Sequence, residues 1–201
     1  MNVIEIFSSI QGEGKYIGKP TVFIRLAGCN LRCVWCDTKY ALTGGTDISV
    51  PEIIRLVNQQ GIGTVCITGG EPMLQIDELK KLVKGLKDVG YRIVLETNGT
   101  LYDEWVFENV DCVSLDMKPP SSGMKSSEGI LKKLVEKDQV KVVISDDRDY
   151  EYAKEILKKT SVEVIIQPLG GTRLEEIAGK VVAEKIDVRV LPQLHKIIDV
   201  K

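Results

Sequence analysis

The sequence predicts an α/β fold in which a parallel sheet of about six strands is covered by helices and does not close. Three observations carry this. Apolar, β-branched runs alternate with amphipathic segments along the chain. The runs are almost continuously hydrophobic, as strands buried on both faces are. About six strand–helix units are too few for a closed eight-fold barrel, which leaves a doubly wound sheet or a partial barrel. At 201 residues, 43% hydrophobic and 28% charged, the chain is expected to be one domain over 1–201 with an ordinary core.

Taken in order, "TVFIRLAG" (21–28) is the first apolar strand and "VPEIIRLVNQQ" (50–60) the helix after it. "TVCITGG" (64–70) is followed by the helical "IDELKKLVKGLKDVG" (76–90), and "YRIVLETNG" (91–99) by a strand "VDCVSLDMK" (110–118). "SEGILKKLVEK" (127–137) has helical spacing and leads into "VKVVIS" (140–145). "RDYEYAKEILKKT" (148–160), "VEVIIQP" (162–168), "RLEEIAGKVVAEK" (173–185) and "DVRVLPQLH" (187–195) complete the alternation. The unusual residues gather where the runs end: Cys29 onward, Gly69 to Pro72, Glu96 to Asn98, Asp116 to Lys118 and Gln167. Carboxyl ends of parallel strands are where such folds place their chemistry, so the pattern predicts one site on one face.

A net charge of −2 and a pI near 5.6 give no electrostatic reason to expect nucleic acid or an anionic membrane as partner. No apolar run approaches the ~18–20 residues that span a bilayer. The start, "MNVIEIFSSIQGEG", has neither the basic nor the apolar part of a secretory leader, so the expected home is the cytoplasm.

A reducing compartment makes clustered thiols read as metal-binding or catalytic. Cys29, Cys33 and Cys36 form C-x3-C-x2-C in "RLAGCNLRCVWCDTKYA"; Cys66 and Cys112 sit inside apolar runs and read as buried structural residues. Structural zinc usually takes four Cys or His ligands, and the only histidine is the distant His195. An ordinary ferredoxin cluster also wants four thiolates. Three suit a 4Fe–4S cluster with one iron left to a small molecule. The reading from another class is an iron–sulfur electron carrier or a zinc-stabilised interaction module.

The cysteine loop after a first apolar strand resembles that of the radical S-adenosylmethionine (SAM) enzymes, with an aromatic residue, Trp35, before the last ligand. "TGGEP" (68–72) resembles their GGEP motif, and "ETNG" (96–99) their third-strand ending; each alone also reads as a turn. Arg25 interrupts an apolar strand and calls for an anionic partner, either a structural ion pair or a substrate carboxylate held by the planar fork. Asp37 and Thr38 offer hard oxygen atoms for Mg2+ or serve as helix caps. "QGEG" (11–14) reads either as a loop or as polar partners for a heterocycle.

Jointly "SIQGEG", the cysteine loop with "CDT", "TGGEP", "ETNG", "KPPSSG" and "VLPQLHK" resemble the 7-carboxy-7-deazaguanine synthases over essentially the whole chain. The resemblance implies a partial (βα)6-type radical SAM barrel with parallel strands, open on one side. It implies a radical SAM enzyme with a 4Fe–4S cluster, SAM and Mg2+. Its reaction would turn 6-carboxy-5,6,7,8-tetrahydropterin into 7-carboxy-7-deazaguanine with loss of ammonia, on the way to the tRNA bases queuosine and archaeosine. The implied substrate contacts are Ile10, Gln11, Gly12, Glu13, Arg25 and Thr68. The cluster ligands are Cys29, Cys33 and Cys36, and Thr38 the Mg2+ ligand. The SAM side is Trp35, Cys36, Asp37, Gly70, Glu71, Glu96, Asn98, Asp116, Met117, Lys118, Gln167, Pro168, Leu169 and Gly170. A homodimer and an electron donor such as flavodoxin or ferredoxin are the implied partners. Within the same superfamily, a glycyl-radical enzyme activase is the competing reading.

Overall fold

The computed structural model describes residues 1–200. Among these residues nine strands form one sheet in the order β3 (Thr46–Asp47), β1 (Asn2–Ile10), β2 (Pro20–Leu26), β4 (Thr64–Gly69), β5 (Arg92–Thr97), β6 (Cys112–Asp116), β7 (Gln139–Ile144), β8 (Glu163–Pro168) and β9 (Arg189–Val190), whose two edge strands do not pair with one another. It is an open half-barrel rather than a closed one.

The parallel part is β2 (Pro20–Leu26), β4 (Thr64–Gly69), β5 (Arg92–Thr97), β6 (Cys112–Asp116), β7 (Gln139–Ile144) and β8 (Glu163–Pro168), with a short β9 (Arg189–Val190) at the far edge. These are the expected apolar runs. β1 (Asn2–Ile10) and β3 (Thr46–Asp47) were not expected; both pair antiparallel on the near side of β2. A register shift between Val3 and Glu5 explains why β1 is hard to read, because a bulge breaks the alternation of faces.

Helices α1 (Val50–Asn58), α2 (Ile76–Val89), α4 (Asp147–Leu157) and α5 (Leu174–Glu184) follow the expected segments. Two of these starts are capped by side chains. Ser49 accepts from Glu52 N ahead of α1, which also has Pro51 in its first turn, and Asp146 accepts from Asp149 N ahead of α4. A one-and-a-half-turn helix α3 (Glu104–Asn109), capped by Asp103, is an addition. The stretch "SEGILKKLVEK" corrects the expectation: only a 3-10 turn over Glu128–Lys133 forms. Its start is tied down by Ser127 N to Gly99 O at 2.7 Å and Ser126 Oγ to Asn98 O at 2.7 Å, and Gly129 disfavours continuation as an α-helix. The last helix, α6 (Leu194–Ile197), is one turn. Among the described residues no helix is long and apolar enough to cross a membrane.

Strand periodicity divides the sheet's two faces by chemistry. Ile24, Ile67, Leu95, Leu115, Val142 and Ile166 face the helices and belong to the main core, fully buried. Their neighbours face inward: Phe23, Cys66, Val94 and Cys112 are paired in register and form a small apolar layer on the concave side. Two residues further along the same strands lie Arg25, Thr68, Glu96 and Ser114, all polar. The fold therefore lifts a polar rim off an apolar floor.

The end of β4 shows how closely the pieces fit. Gly69 has φ of +135°, and a Cβ there would stand 2.2 Å from the Leu26 carbonyl; one on Gly70 would stand 1.9 Å from the Gly28 carbonyl. Gly70 N donates to Leu26 O at 3.0 Å and Glu71 N to Gly28 O at 2.7 Å. The two glycines let the end of β4 press on the start of the cysteine loop. Gly69→Ala is expected to lower the unfolding free energy by about 2–4 kcal/mol, through backbone strain and a clash with main chain that cannot rotate away. Denaturant titration of the variant against the parent chain measures it.

Candidate active site

The concave face opens into a cavity of about 330 Å³ at the carboxyl ends of the strands. Its wall brings together Ile10, Gln11, Gly12, Glu13, Arg25 and Thr68 with Cys29, Cys33, Trp35, Cys36, Asp37 and Thr38. Gly70, Glu96, Asn98, Asp116, Lys118 and Leu169 complete the expected members. Thus residues from nearly every strand end meet around one space, as the clustering of unusual residues predicted.

Arg25 lies opposite Glu5 in the β1–β2 register, and its Nε donates to Glu5 Oε1 at 2.8 Å. Its guanidinium also stacks over Phe7 (5.5 Å) and Tyr40 (5.8 Å), while Phe7 stacks on Phe23 at 5.1 Å. An ion pair with aromatic support holds the planar fork at the cavity wall. Next in the rim, Glu96 accepts from Thr68 Oγ at 3.3 Å and from Gln11 Nε2 at 3.5 Å. Glu96, expected on the SAM side, is thus hydrogen-bonded to Gln11 and Thr68, two of the residues expected to hold the substrate.

The cysteine loop is held from two sides. Asn98 Nδ2 donates to Asn30 Oδ1 at 2.9 Å and reaches Cys29 Sγ at 3.8 Å. On the other side, Val34 N donates to Ser122 O at 3.0 Å and Trp35 Nε1 to Ser121 Oγ at 2.9 Å. Ser121 is in turn held by Asp149, which accepts from its N at 3.0 Å and its Oγ at 2.5 Å. Lys118, paired with Asp116 at 2.9 Å, lies over the Trp35 ring at 5.5 Å. The "KPPSSG" turn is thereby explained: it anchors the loop that carries the thiols.

Cys29, Cys33 and Cys36 on one short loop all line the cavity and are the thiolate donors a 4Fe–4S cluster would take, although among the described residues they are not already drawn together into a metal nest. Burial pushes the Cys33 thiol up, partly offset by the Lys118 charge. Cys66 and Cys112 lie in the apolar floor, fully buried; burial pushes Cys66 well up and Cys112 to about 12, so neither is a ready thiolate. For Mg2+, Thr38 and Asp37 place two oxygens side by side, Thr38 Oγ donating to Asp37 Oδ1 at 2.8 Å. Among the described residues no three Cys, His, Asp or Glu side chains already form a metal nest. A cation at Thr38 would complete its shell with substrate and water oxygens, as Mg2+ commonly does.

Five expected contacts do not line the cavity. Glu71 is fully buried and its carboxylate is occupied: Oε1 accepts from Met73 N (3.0 Å) and Thr97 Oγ (2.8 Å), Oε2 from Asn98 N (2.7 Å). Its role here is to tie β4 to β5. Met117 points into the main core, on the face opposite Asp116 and Lys118. Gln167 is inward but covered, its Nε2 donating to Pro192 O at 3.2 Å. Pro168 is buried at the end of β8, and Gly170 is exposed with its N bonded to Gln193 Oε1 at 2.7 Å.

Others line the cavity without having been expected: Phe7, Tyr40, Lys141, Gln193, His195 and Lys196. Lys141 carried a readable signal, since a lysine inside "VKVVIS" is as anomalous as the arginine inside "TVFIRLAG". It is 4% exposed and paired with Glu13, with Asp116 at 3.7 Å. Burial alone would raise Glu13. The Lys141 charge, hydrogen bonds from Lys141 and Gln193, and the charge of His195 outweigh it and hold the carboxyl at about 2. Burial opposes the Lys141 charge in the same way, and Glu13, Glu96 and Asp116 together raise it well above its ordinary value.

This geometry defines a radical SAM protein. The model of the Radical SAM superfamily matches residues 23–118, from β2 to the "KPP" turn. A 7-carboxy-7-deazaguanine synthase of Thermoplasma acidophilum is 42% identical over 98% of this chain and 97% of its own length. One of Methanospirillum hungatei is 42% identical over 98% and 85%. The crystal structure of QueE from Escherichia coli superposes with a TM-score of 0.74 at 25% identity, covering 96% of this chain and 94% of that one. The chain belongs to the 7-carboxy-7-deazaguanine synthase family.

Because the Glu13 carboxyl falls from an ordinary 4.5 to about 2 on folding, its pairing stabilises the fold fully above about pH 4.5 and is lost as pH drops toward 2. Lys141, Asp116, Lys118, Glu96 and His195 face the same space. In urea titrations at stepped pH, the parent chain should lose stability across pH 4.5 to 2 more steeply than Glu13→Gln, by a few kcal/mol.

Proposed function

We propose that this chain converts 6-carboxy-5,6,7,8-tetrahydropterin to 7-carboxy-7-deazaguanine, releasing ammonia, through a single radical SAM domain over residues 1–201. The observation that carries the reading is the meeting of Arg25, Gln11 and Thr68 with the three-thiol loop in one cavity.

When bound, the cluster and SAM would supply one-electron radical chemistry for hydrogen abstraction. The chain's own residues position and shield. Arg25, braced by Glu5 and its flanking rings, receives the substrate carboxylate through the guanidinium fork. Glu96, held between Thr68 and Gln11, offers acceptor oxygens to the N–H edge of the pterin, and Gln11 contributes its amide. Thr38 and Asp37 would hold Mg2+, and the Cys29–Cys36 loop would hold the cluster. Asn98, Asp116, Lys118 and the chain around Leu169 line the part of the cavity where SAM would lie beside that loop. The apolar floor of Phe23, Cys66, Val94 and Cys112 keeps water from beneath the reacting ring. No side chain is asked to be a strong acid or base, so the barrier is lowered chiefly by orientation. The same proposal puts the chain in the cytoplasm, with a flavodoxin or ferredoxin as electron source and a second copy as partner; the net charge of −2 gives no electrostatic case for nucleic acid.

Anoxic incubation of the reconstituted protein with this tetrahydropterin, SAM and a reductant should yield 7-carboxy-7-deazaguanine and ammonia; SAM cleavage without that product would reject the assignment. Arg25→Ala should weaken pterin binding by about 100-fold, as expected for loss of a bidentate charge-assisted contact, and leave iron content unchanged. Loss of iron in that variant would instead make Arg25 a structural residue.

A further inference from the structure

The open side of the half-barrel is crossed by two segments that meet over one largely covered carboxylate. After β1 the chain leaves the antiparallel side of the sheet and reaches β7: Lys15 N donates to Gln139 Oε1 at 2.7 Å and Lys15 Nζ to Asp138 O at 3.1 Å. Within that crossing, Glu13 Oε2 takes Lys141 Nζ of β7, and Glu13 Oε1 accepts from Gln193 Nε2 at 2.7 Å. Gln193 is 5% exposed and its Oε1 accepts from Gly170 N, in the turn after β8. The contact continues along both chains: Leu194 N donates to Gly12 O at 2.9 Å. A Cβ on Gly12 would lie 2.2 Å from His195 Nδ1, so the two segments are in direct apposition.

We propose that Glu13, Lys141 and Gln193 form a latch that closes the open side of the barrel. All three are positioning residues. Each carboxylate oxygen of Glu13 already accepts from another part of the chain, and the latch assigns the residue to positioning rather than to substrate contact. It joins three separate pieces: the segment bearing Gln11 and Gly12, strand β7, and the C-terminal segment that presents His195 and Lys196 to the cavity. Through Gln193 the same carboxylate is tied to the turn at Leu169 and Gly170. Closing the latch buries two opposite charges, which is tolerable only as a pair; breaking one partner leaves the other uncompensated. The latch therefore sets the shape of the cavity from outside the reacting ring. The part of this inference that concerns the pterin rests on the reaction proposed above.

The test compares the parent chain with Glu13→Gln, Lys141→Met and the double variant. Hydrogen exchange reads the backbone, and steady-state kinetics of the reconstituted enzyme read the cavity. Each single change should speed amide exchange in residues 11–16 and 192–196 by about ten-fold or more, with β4 and β5 unaffected, and should raise the pterin KM by about ten-fold with a smaller fall in kcat. The double variant should be no worse than the worse single, because both charges leave together; it also serves if a single variant does not fold. A raised KM with unchanged exchange would make Glu13 a direct substrate contact and overturn the latch. Unchanged exchange and unchanged KM would overturn it too. Should the parent chain fail to turn over the pterin at all, the assigned reaction falls, and the exchange data still decide whether the latch exists.

Discussion

A sheet that carries ionised side chains on its concave face needs an opposite charge or a hydrogen-bond donor for each of them, and most of this structure follows from that constraint. An isolated buried charge costs several kcal/mol or more, and proteins avoid it by pairing. Here the pairing is written into strand register. Arg25 stands directly across from Glu5, and Asp116 lies beside Lys141 in the β6–β7 register and bonds Lys118 two residues along. Glu13, delivered by a loop, takes Lys141. Because these pairs are fixed by backbone pairing, the polar rim is formed before any ligand arrives, which is the condition for catalysis by orientation.

The rim in turn needs a dry base and a firm back. Phe23, Cys66, Val94 and Cys112 supply the base in register, and the core behind the sheet supplies the back. The loop that carries the thiols is not part of the sheet, so it is secured by side chains: Asn98 on one flank and the Trp35–Ser121–Asp149 relay on the other. Asp149 sits in the first turn of α4, fully buried, far along the chain from the cysteines. The position of the cluster loop thus depends on a helix that contributes nothing to the cavity wall.

How much of this was readable in sequence depended on whether a residue's partner was local. All six main parallel strands and their order of appearance were legible, because runs such as "TVFIRL" and "VEVIIQ" satisfy both faces by composition alone. β1 was not, since its bulge shifts the alternation, and "SEGILKKLVEK" has helical spacing but is pinned at its start by Gly99 and Asn98. The cysteine loop and the strand-end motifs were legible because spacing itself carries their chemistry. The Glu13–Lys141 pair spans more than 100 residues of sequence and has no spacing signature; only the oddity of a lysine in "VKVVIS" pointed to it.

Within each motif, the side a residue faces decided whether it reached the cavity. Asp116 and Lys118 face inward while Met117 between them fills the core. In "TGGEP" the two glycines serve a close backbone approach to Leu26 and Gly28, and the glutamate spends its oxygens on Met73, Thr97 and Asn98. Burial raises Glu71, and those three donors restrain it, so a carboxylate placed there pulls β4, β5 and the turn after β4 into one rigid piece. Asn98, whose own amide is fixed by that carboxylate, is the residue that reaches Cys29. A motif that reads as ligand-binding is therefore also the brace that orients the loop next to it, and a change at Glu71 would be felt at the thiols through Asn98 even though Glu71 itself never touches the cavity.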